Sequence, residues 1–397
     1  MNRCKLGLLA LLSVAALASA QFSRPTNARI SSMGGAFIVD DITDVFRYPV
    51  TMLDYRGQLQ ATFNAPIIGV RNSESMFTLG ATANRGNVLR NYYGDAIGVT
   101  DPAFGNMVNL PHVLLGFDLG SIQLGADAFV EYSRLSSKTE DEALDMETSV
   151  SGMVVIPGVI ASARFGSESL PIMVKAGIAF PNTSGEGKVT MAGSTTTSEL
   201  STKKGLYLET GAEAKTSMLG LDWTLGLGYT FESYQFEEDD VSTNPVYNSN
   251  LSGYLGFELG VLEDGIAAVQ YQFNQTHPYD YQDVDGNSYA RNDTVSHVFN
   301  MGLEKGWENV WVLNSFQLRG GMNYGIIVPY VRDHSESDLG NSDTREKYPA
   351  FDTELFPTVG FGLSKGFLQL DMTINMGTWG GFFTGPDVGA VTATMKF

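Results

Sequence analysis

The sequence is low in charge and has almost no cysteine. Charged residues make up 17% of its 397 residues, against about a quarter in typical soluble proteins, and Cys4 is the single cysteine. The charge is also unbalanced, with 25 Lys and Arg against 44 Asp and Glu. A chain with a net charge of -19 and no basic cluster is not suited to neutralising phosphates. Nucleic-acid binding is therefore excluded as the expected function.

Long apolar runs are missing after the first twenty residues. Residues 1–20 combine a basic beginning, an apolar run over 6–17 and an A-x-A pattern at their end, which predicts a cleaved signal peptide. The run is shorter than the roughly 20 apolar residues of a membrane helix. Cleavage would remove Cys4 and leave no disulfide or thiolate site. Two classes remain: a soluble exported β-protein and a transmembrane β-barrel.

Apolar and polar residues alternate along several segments and favour the barrel. Over residues 122–132 the even positions are apolar, whereas the odd positions include Asp127 and Glu131. The same split recurs over 222–232 and 368–376. These runs are about ten residues long, as tilted membrane strands require, and longer than ordinary sandwich strands. The predicted fold is an all-β, antiparallel, up-and-down transmembrane barrel.

The connections alternate between short and long, as in outer-membrane barrels. Short ones fall at 120–121, 263–265 and 364–366, and long ones fall at 85–112, 134–150, 181–204, 237–250, 275–293 and 333–353. Sixteen candidate strands lie between residues 58 and 397. The first two, 58–64 and 66–71, are short, and about fourteen full strands remain if they form only a partial hairpin. The expectation is therefore a barrel of 14 to 16 strands.

The last eight residues carry the most specific local pattern. Val391, Ala393, Met395 and Phe397 share one face, and Thr392, Thr394 and Lys396 share the other. A terminal Phe after alternating apolar residues resembles the C-terminal signature of bacterial outer-membrane barrels. This resemblance implies that Phe397 is an assembly signal read by the outer-membrane assembly machinery, and that membrane lipid surrounds the barrel.

A second resemblance lies before the first strand. Ala28, Arg29, Met33, Gly34, Gly35, Ala36, Asp40, Asp41 and Pro49 match the pattern A-R-x-x-x-M-G-G-A, an acidic pair and N-P-A. This pattern resembles the N-terminal signature of FadL-type barrels, which transport long-chain fatty acids and aromatic hydrocarbons, and of PorV-type proteins of Bacteroidetes-like secretion systems. Tyr48 and Val50 depart from it, standing where the family has Asn and Ala.

The family resemblance implies a plug and a transport role. Residues 21–56 would plug a barrel of fourteen strands formed by 57–397, and the protein would take up small hydrophobic ligands passively or act as a scaffold for an envelope complex. Phe37, Phe46 and Tyr48 would border the internal path, and Gly34 and Gly35 would shape the plug. The residues themselves suit such a segment, because Asp40 or Asp41 can cap a short helix through Phe46 and Pro49 can end it.

The predicted inward faces are charged, and acidic residues are in excess. The acidic positions include Asp127, Glu131, Glu209, Glu213, Asp222 and Glu232, and Arg319 is among their basic partners. If these side chains line an open channel, the acidic excess favours cations. If they fill a closed barrel, they form a paired network. The alternatives to uptake are thus a cation-preferring porin and a structural or surface-interaction protein with acidic loops.

The sequence gives no support for an enzyme, a cofactor or a metal site. None of its four histidines has metal-ligand spacing to another, and His112, His277 and His334 fall in predicted loops. No G-x-S-x-G or H-E-x-x-H motif occurs. The residues do not identify a ligand or a protein partner.

Overall fold

The described part of the chain consists of three short helical turns followed by antiparallel strands. In the computed structural model it comprises residues 27–63, 67–71, 75–83, 108–109, 111–141, 146–191, 194–238, 241–242, 245–261, 263–278, 281–282, 288–289, 293–337, 340–346, 352–376 and 387–397. The predicted signal peptide, residues 1–20, and most of the predicted loop 85–112 lie outside these ranges. No helix within them is long and apolar enough to cross a membrane.

The helical turns come first and lie inside the barrel. Helix α1 spans Ala28–Ser32, and two 3-10 helices span Ile42–Phe46 and Pro49–Tyr55. Most residues from 27 to 53 are buried. We call residues 27–56 the plug.

The strands follow without an intervening long helix. They are β1 (Gln58–Thr62), β2 (Ile67–Val70), β3 (Phe77–Ala83), β4 (Val108–Asn109), β5 (His112–Asp118), β6 (Ile122–Asp141), β7 (Met146–Ser167), β8 (Leu170–Ala179), β9 (Asn182–Met191), β10 (Ser194–Met218), β11 (Leu221–Glu238), β12 (Val241–Ser242), β13 (Val246–Gly260), β14 (Gly265–Pro278), β15 (Tyr281–Gln282), β16 (Ser288–Tyr289), β17 (Asp293–Glu308), β18 (Ser315–Ser337), β19 (Gly340–Glu346), β20 (Asp352–Lys365), β21 (Leu368–Asn375) and β22 (Asp387–Lys396).

Sixteen of the described strands close into one antiparallel ring. Their order is β1, β2, β3, β5, β6, β7, β8, β10, β11, β13, β14, β17, β18, β20, β21, β22 and back to β1. β9 follows β8 after two residues and pairs with the same neighbours, β7 and β10. The short connections lie together at one end, where the Phe397 amide donates to the Gly57 carbonyl (2.7 Å). We call this the short-turn end and the opposite end the loop end.

The count of sixteen corrects the fourteen strands that the family resemblance implied. β1 and β2 are only five and four residues long, as their sequence suggested. β1 nevertheless pairs with both β2 and β22, and β2 pairs with β3. The ring closes through these two strands, so they are full members of the barrel, and the upper end of the expected range is confirmed.

The alternating faces also follow the expected pattern. In β11 the outward Leu225 and Leu227 are exposed, whereas Thr224 on the inward face is buried. In β6 the inward Asp127 and Glu131 are fully buried. The barrel therefore presents apolar side chains on its outside and encloses polar ones, the pattern of a barrel whose exterior meets lipid.

Several predicted long loops are strands instead. β9 and β10 pair across the predicted loop 181–204, β6 and β7 pair over 134–141 and 146–153, and β18 and β19 pair within 333–346. These residues are rich in Ser, Thr, Lys and Glu and have no apolar face. Alternating apolar residues indicate a strand with one buried face, but two strands can pair through their backbones without a buried face. These strand extensions therefore left no alternation in the sequence. His277 and His334 accordingly lie in β14 and β18.

Closure through β1 predicts a specific cross-link. The Phe63 amide donates to the Val391 carbonyl (2.9 Å), so by alternation Gln60 and Thr394 form a non-hydrogen-bonded pair, whose Cα atoms in such ladders are about 4.5 Å apart. With Cys4 replaced by Ser, we expect the double variant Gln60→Cys/Thr394→Cys to form a disulfide on mild oxidation, detected by gel mobility.

The control pair is Gln60→Cys/Gln369→Cys. Gln369 pairs with Thr394 from the other side, one strand farther from Gln60. Two strand spacings are roughly 9.6 Å, beyond the reach of a disulfide. Equal cross-linking of both pairs, or of neither, would argue against the sixteen-strand closure.

Candidate functional site

The plug begins with a capped turn of helix that ends on two glycines. The Asn27 side chain accepts a hydrogen bond from the Ile30 amide (2.9 Å) and caps α1. Gly34 and Gly35 have φ angles of +67° and +79°, a left-handed conformation that favours glycine. The Gly35 amide donates to the Ile30 carbonyl (2.9 Å), which closes the helix end. The chain thereby reverses direction inside the lumen.

This glycine turn lies directly against the barrel backbone. A Cβ atom added to Gly34 would lie 2.5 Å from both the N and O atoms of Met322, and one added to Gly321 would lie 2.0 Å from the Gly34 N atom. On the other side of the plug, a Cβ on Gly125 would lie 2.2 Å from the Val50 N atom. Side chains do not fit at these points. Glycine on the wall therefore permits backbone-to-backbone packing of the plug.

Two glycines of β18 allow a matched test of this packing. Gly321→Ala places its Cβ in the Gly34 backbone, whereas a Cβ at Gly325, on the same inward face, meets nothing within 4 Å. We expect Gly321→Ala to lower the free energy of unfolding by about 1–3 kcal/mol, and Gly325→Ala to change it little. Thermal unfolding in detergent, followed by circular dichroism, measures both. Equal stability of the two variants would contradict the described contact.

Asp40 and Asp41, the acidic pair of the plug motif, make different contacts. Asp41 caps the first 3-10 helix, since its carboxylate accepts from the Thr43 amide (2.9 Å) and its own amide donates to Asp44 (2.9 Å). Asp40 is exposed and forms an ion pair with Lys215 of β10. The helix ends at Phe46, as expected.

Pro49 does not end that helix, which corrects the sequence-based expectation. It is the first residue of the second 3-10 helix, a position where the missing proline N–H costs no hydrogen bond. The next residue, Val50, donates its amide to the Ser162 hydroxyl of β7 (2.8 Å). Pro49 therefore starts the turn that carries the plug across the inner faces of β5, β6 and β7.

The aromatic residues of the plug motif are buried in two apolar clusters. Phe46, Tyr48 and Val50 pack with Ile68, Leu114 and Met173 of the wall. Phe37 packs with Tyr254 and Ala268, and its ring meets the Tyr254 ring edge-on at 4.9 Å. Both clusters join plug to wall, so the three aromatic residues expected to border an internal path are part of the packed core.

Arg47, which sequence reasoning did not single out, is the most enclosed cation of the plug. Its guanidinium lies 3.0 Å from Asp44 and 3.1 Å from Glu213 of β10, and its Cζ lies 4.8 to 5.8 Å from the centroids of three aromatic rings, Phe37, Tyr48 and Tyr254. Tyr254 also donates to Glu213. Burial alone would lower the pKa of Arg47, but Glu213, Tyr254 and Asp44 raise it above its ordinary value, so the residue stays charged.

Removing this cation is predicted to destabilise the plug strongly. Arg47→Gln leaves the Glu213 carboxylate buried without its cation, which costs about 3–5 kcal/mol in comparable cases. We expect a lower unfolding temperature for Arg47→Gln and partial recovery in Arg47→Gln/Glu213→Gln, because Arg47→Gln takes the cation away from both Asp44 and Glu213, whereas the double variant takes it away from Asp44 alone. A double variant that unfolds at or below the temperature of Arg47→Gln would show that the pair contributes no coupling.

A second network of charged side chains joins α1 to the barrel wall. Arg29 forms a bidentate pair with Glu304 of β17 (3.1 and 3.0 Å). Glu304 also accepts from Arg319 of β18, which reaches Asp371 of β21 (2.6 Å). Nearer the short-turn end, Arg164 binds Asp54 through two bonds (2.6 and 2.7 Å). Each charged side chain of the plug thus has a hydrogen-bonding or ionic partner within the described residues.

The predicted lumen charges fall into three groups. Glu213 pairs with Arg47 of the plug, and Arg319 binds Glu304, which pairs with Arg29 of the plug. Glu209 lies 3.3 Å from Lys175 and accepts from Tyr207 (2.9 Å), while Glu131 and Glu232 are buried on the inner wall. Asp222 lies exposed beside a short turn and accepts from Ser217. Most of these charges are therefore inside the barrel, and Asp222 is at its rim.

The partner of Asp127 is His112, which was predicted to lie in a loop. His112 is the first residue of β5 and is fully buried, with Nδ1 3.1 Å from Asp127. Its ring stacks on Phe129 with centroids 5.0 Å apart. The pair joins neighbouring strands, and the sequence alone does not reveal it because the residues are fifteen apart. No group of three metal-ligating side chains comes together within the described residues.

An apolar patch on the inner wall was not predicted either. Phe129 of β6, Val154, Ile156 and Ile160 of β7 and Ala179 of β8 point inward and are buried. Phe129 shares the parity of Asp127 and Glu131, so the alternation could have placed it inside. We call these five residues the apolar patch. A small cavity of about 120 Å³ at the short-turn end is polar by contrast, lined by residues such as Arg29, Gln60 and Lys396.

No protein-family model matches this sequence, and no curated protein does. Among solved structures, the chain is similar to CdiB from Escherichia coli (10% identity, TM-score 0.46), covering 86% of this chain and 62% of CdiB. It is also similar to the P. putida toluene transporter TodX (12%, TM-score 0.39; 94% and 99% covered) and to a Pseudomonas aeruginosa FadL homologue (12%, TM-score 0.41; 94% and 98%). The chain spans less than two thirds of CdiB.

Proposed function

We propose that this chain is an outer-membrane β-barrel of FadL and PorV type that takes up a small hydrophobic ligand passively. One observation carries the proposal: the plug fills the short-turn part of the lumen, and an apolar patch lies on the inner wall next to it. A water-filled porin has a polar interior, whereas Phe129, Ile156 and Ile160 make this part of the inner wall apolar.

The proposed membrane placement rests on the barrel exterior and on its last strand. Outward side chains such as Leu225 and Leu370 are exposed and apolar, as contact with lipid requires. The short turns and both ends of the barrel chain would face the periplasm. Phe397, at the end of β22, would be recognised by the outer-membrane assembly machinery before β22 pairs with β1.

A scaffold for an envelope complex is the second candidate. It is supported by the paired charges of the lumen, because a barrel that serves only to hold a partner gains stability from a filled interior. In this version the long hairpins β6–β7 and β9–β10 would offer the binding surface to a protein partner. Neither candidate involves a reaction, a cofactor or nucleic acid.

Electrical recording tests whether the plug closes the barrel. We expect the full chain in a planar bilayer to show no large steady conductance, because the lumen charges bind one another and the plug blocks the short-turn end. A variant lacking residues 27–56 is expected to conduct and to prefer cations, since removal of Arg29 and Arg47 leaves Glu304 and Glu213 facing water.

Folding of the shortened variant is checked first by its heat-dependent gel mobility. A large, steady cation current through the full chain would overturn the plugged-barrel proposal in favour of a porin. Uptake itself is measured as octane entry into proteoliposomes, compared with protein-free vesicles. Absence of any difference in uptake, together with a stoichiometric protein partner on purification, would favour the scaffold.

A further inference from the structure

Four neighbouring strands carry uncharged amides on their inner faces. Their inward residues include Asn248 of β13, Gln270, Gln272 and Asn274 of β14, Asn300 of β17 and Asn323 of β18. We call these six residues the amide panel. Gln270 lies opposite Asn300, and Asn300 lies opposite Asn323, in the strand register. The panel is thus one continuous surface that begins at the plug, where Gln270 accepts from the Ile38 amide (3.2 Å).

The panel is neutral, whereas several other parts of the inner wall carry charged side chains. No inward residue of β14 from Gln270 to Thr276, or of β17 from Thr294 to Asn300, is ionisable. The inward cations described above are already paired with carboxylates. An anionic ligand would therefore find no charge of opposite sign on the panel.

Three polar atoms of the panel have no hydrogen-bond partner within the described residues. They are Nε2 of Gln270, Nδ2 of Asn300 and Oδ1 of Asn274, and all three side chains are at least nine-tenths buried. Buried polar groups are normally paired. Two free donors and one free acceptor on adjacent strands match a hydroxyl or amide group, which donates and accepts, better than a carboxylate, which only accepts.

We propose that the amide panel binds the uncharged hydrogen-bonding group of an amphiphilic ligand. This inference rests on the proposed uptake function and narrows its ligand class to uncharged amphiphiles bearing hydroxyl or amide groups. A site built from amides selects strongly against an analogue that cannot make its hydrogen bonds, because the buried amide atoms then stay unpaired.

Three probes with the same eight-carbon chain separate the possibilities: 1,2-octanediol, octanoate and octane. The full chain is placed in lipid nanodiscs at pH 7.5, and retention is measured above that of protein-free nanodiscs. We expect 1,2-octanediol to be retained about tenfold more strongly than octanoate or octane. Equal retention of the diol and octanoate would overturn the proposal.

Matched variants locate the binding. Gln272→Met and Asn274→Leu keep the side-chain size but remove the amide, and we expect each to lower diol retention about fivefold. Gln275→Met makes the same exchange on the outward face of β14 and should leave retention unchanged. Equal effects of Gln272→Met and Gln275→Met would also overturn the proposal. Circular dichroism confirms that each variant is folded.

The outcomes separate this inference from the uptake proposal. Diol retention that depends on Gln272, without entry of diol or octane into proteoliposomes, would support the panel and contradict uptake. Entry of octane without preferential diol retention would contradict the panel and support uptake.

Discussion

The enclosed position of the plug makes charge pairing the condition on which the rest of the structure depends. Backbone contacts at Gly34 and Gly125 leave no layer of water between plug and wall at these points. A charge held in such a space needs an opposite charge or hydrogen-bond donors close by. The wall meets this need with Glu213, Glu304 and Arg164, each on a different strand. The position of the plug is therefore specified by the barrel as a whole.

Close approach and charge pairing reinforce each other. Glycine at Gly321 lets α1 come near enough for Arg29 to form two hydrogen bonds with Glu304. Glu304 then holds Arg319, which reaches Asp371 two strands farther along the ring. Loss of one member leaves the next with an unmatched charge. Several acidic residues of the composition thus lie inside the barrel, where cations of both plug and wall pair with them.

Sequence reasoning identified what depends on local periodicity. The faces of β6, β11 and β21 and the pattern of the last strand followed from alternation, and the short helix that ends at Phe46 followed from its capping residue Asp41. Helix α1, capped by Asn27, was not predicted. The membership of β1 and β2 in the closed ring did not follow from alternation. It depends on the pairing of β1 with β22, which lies more than 300 residues away in the sequence. The role of Arg47 was missed for the same reason. Its partner Glu213 was recognised as inward, but periodicity assigns a face and not a neighbour.

The energetics of the plug constrain how a ligand would pass it. Ejection of the plug would separate at least two buried charge clusters, around Arg47 and around Arg29, and would expose the two apolar clusters that join plug to wall. Uptake through the intact barrel therefore requires local movement between plug and wall. The turn at Gly35 and Ile38 is the place where such movement would break the fewest charge pairs, since it meets the wall through neutral amides and apolar contacts alone.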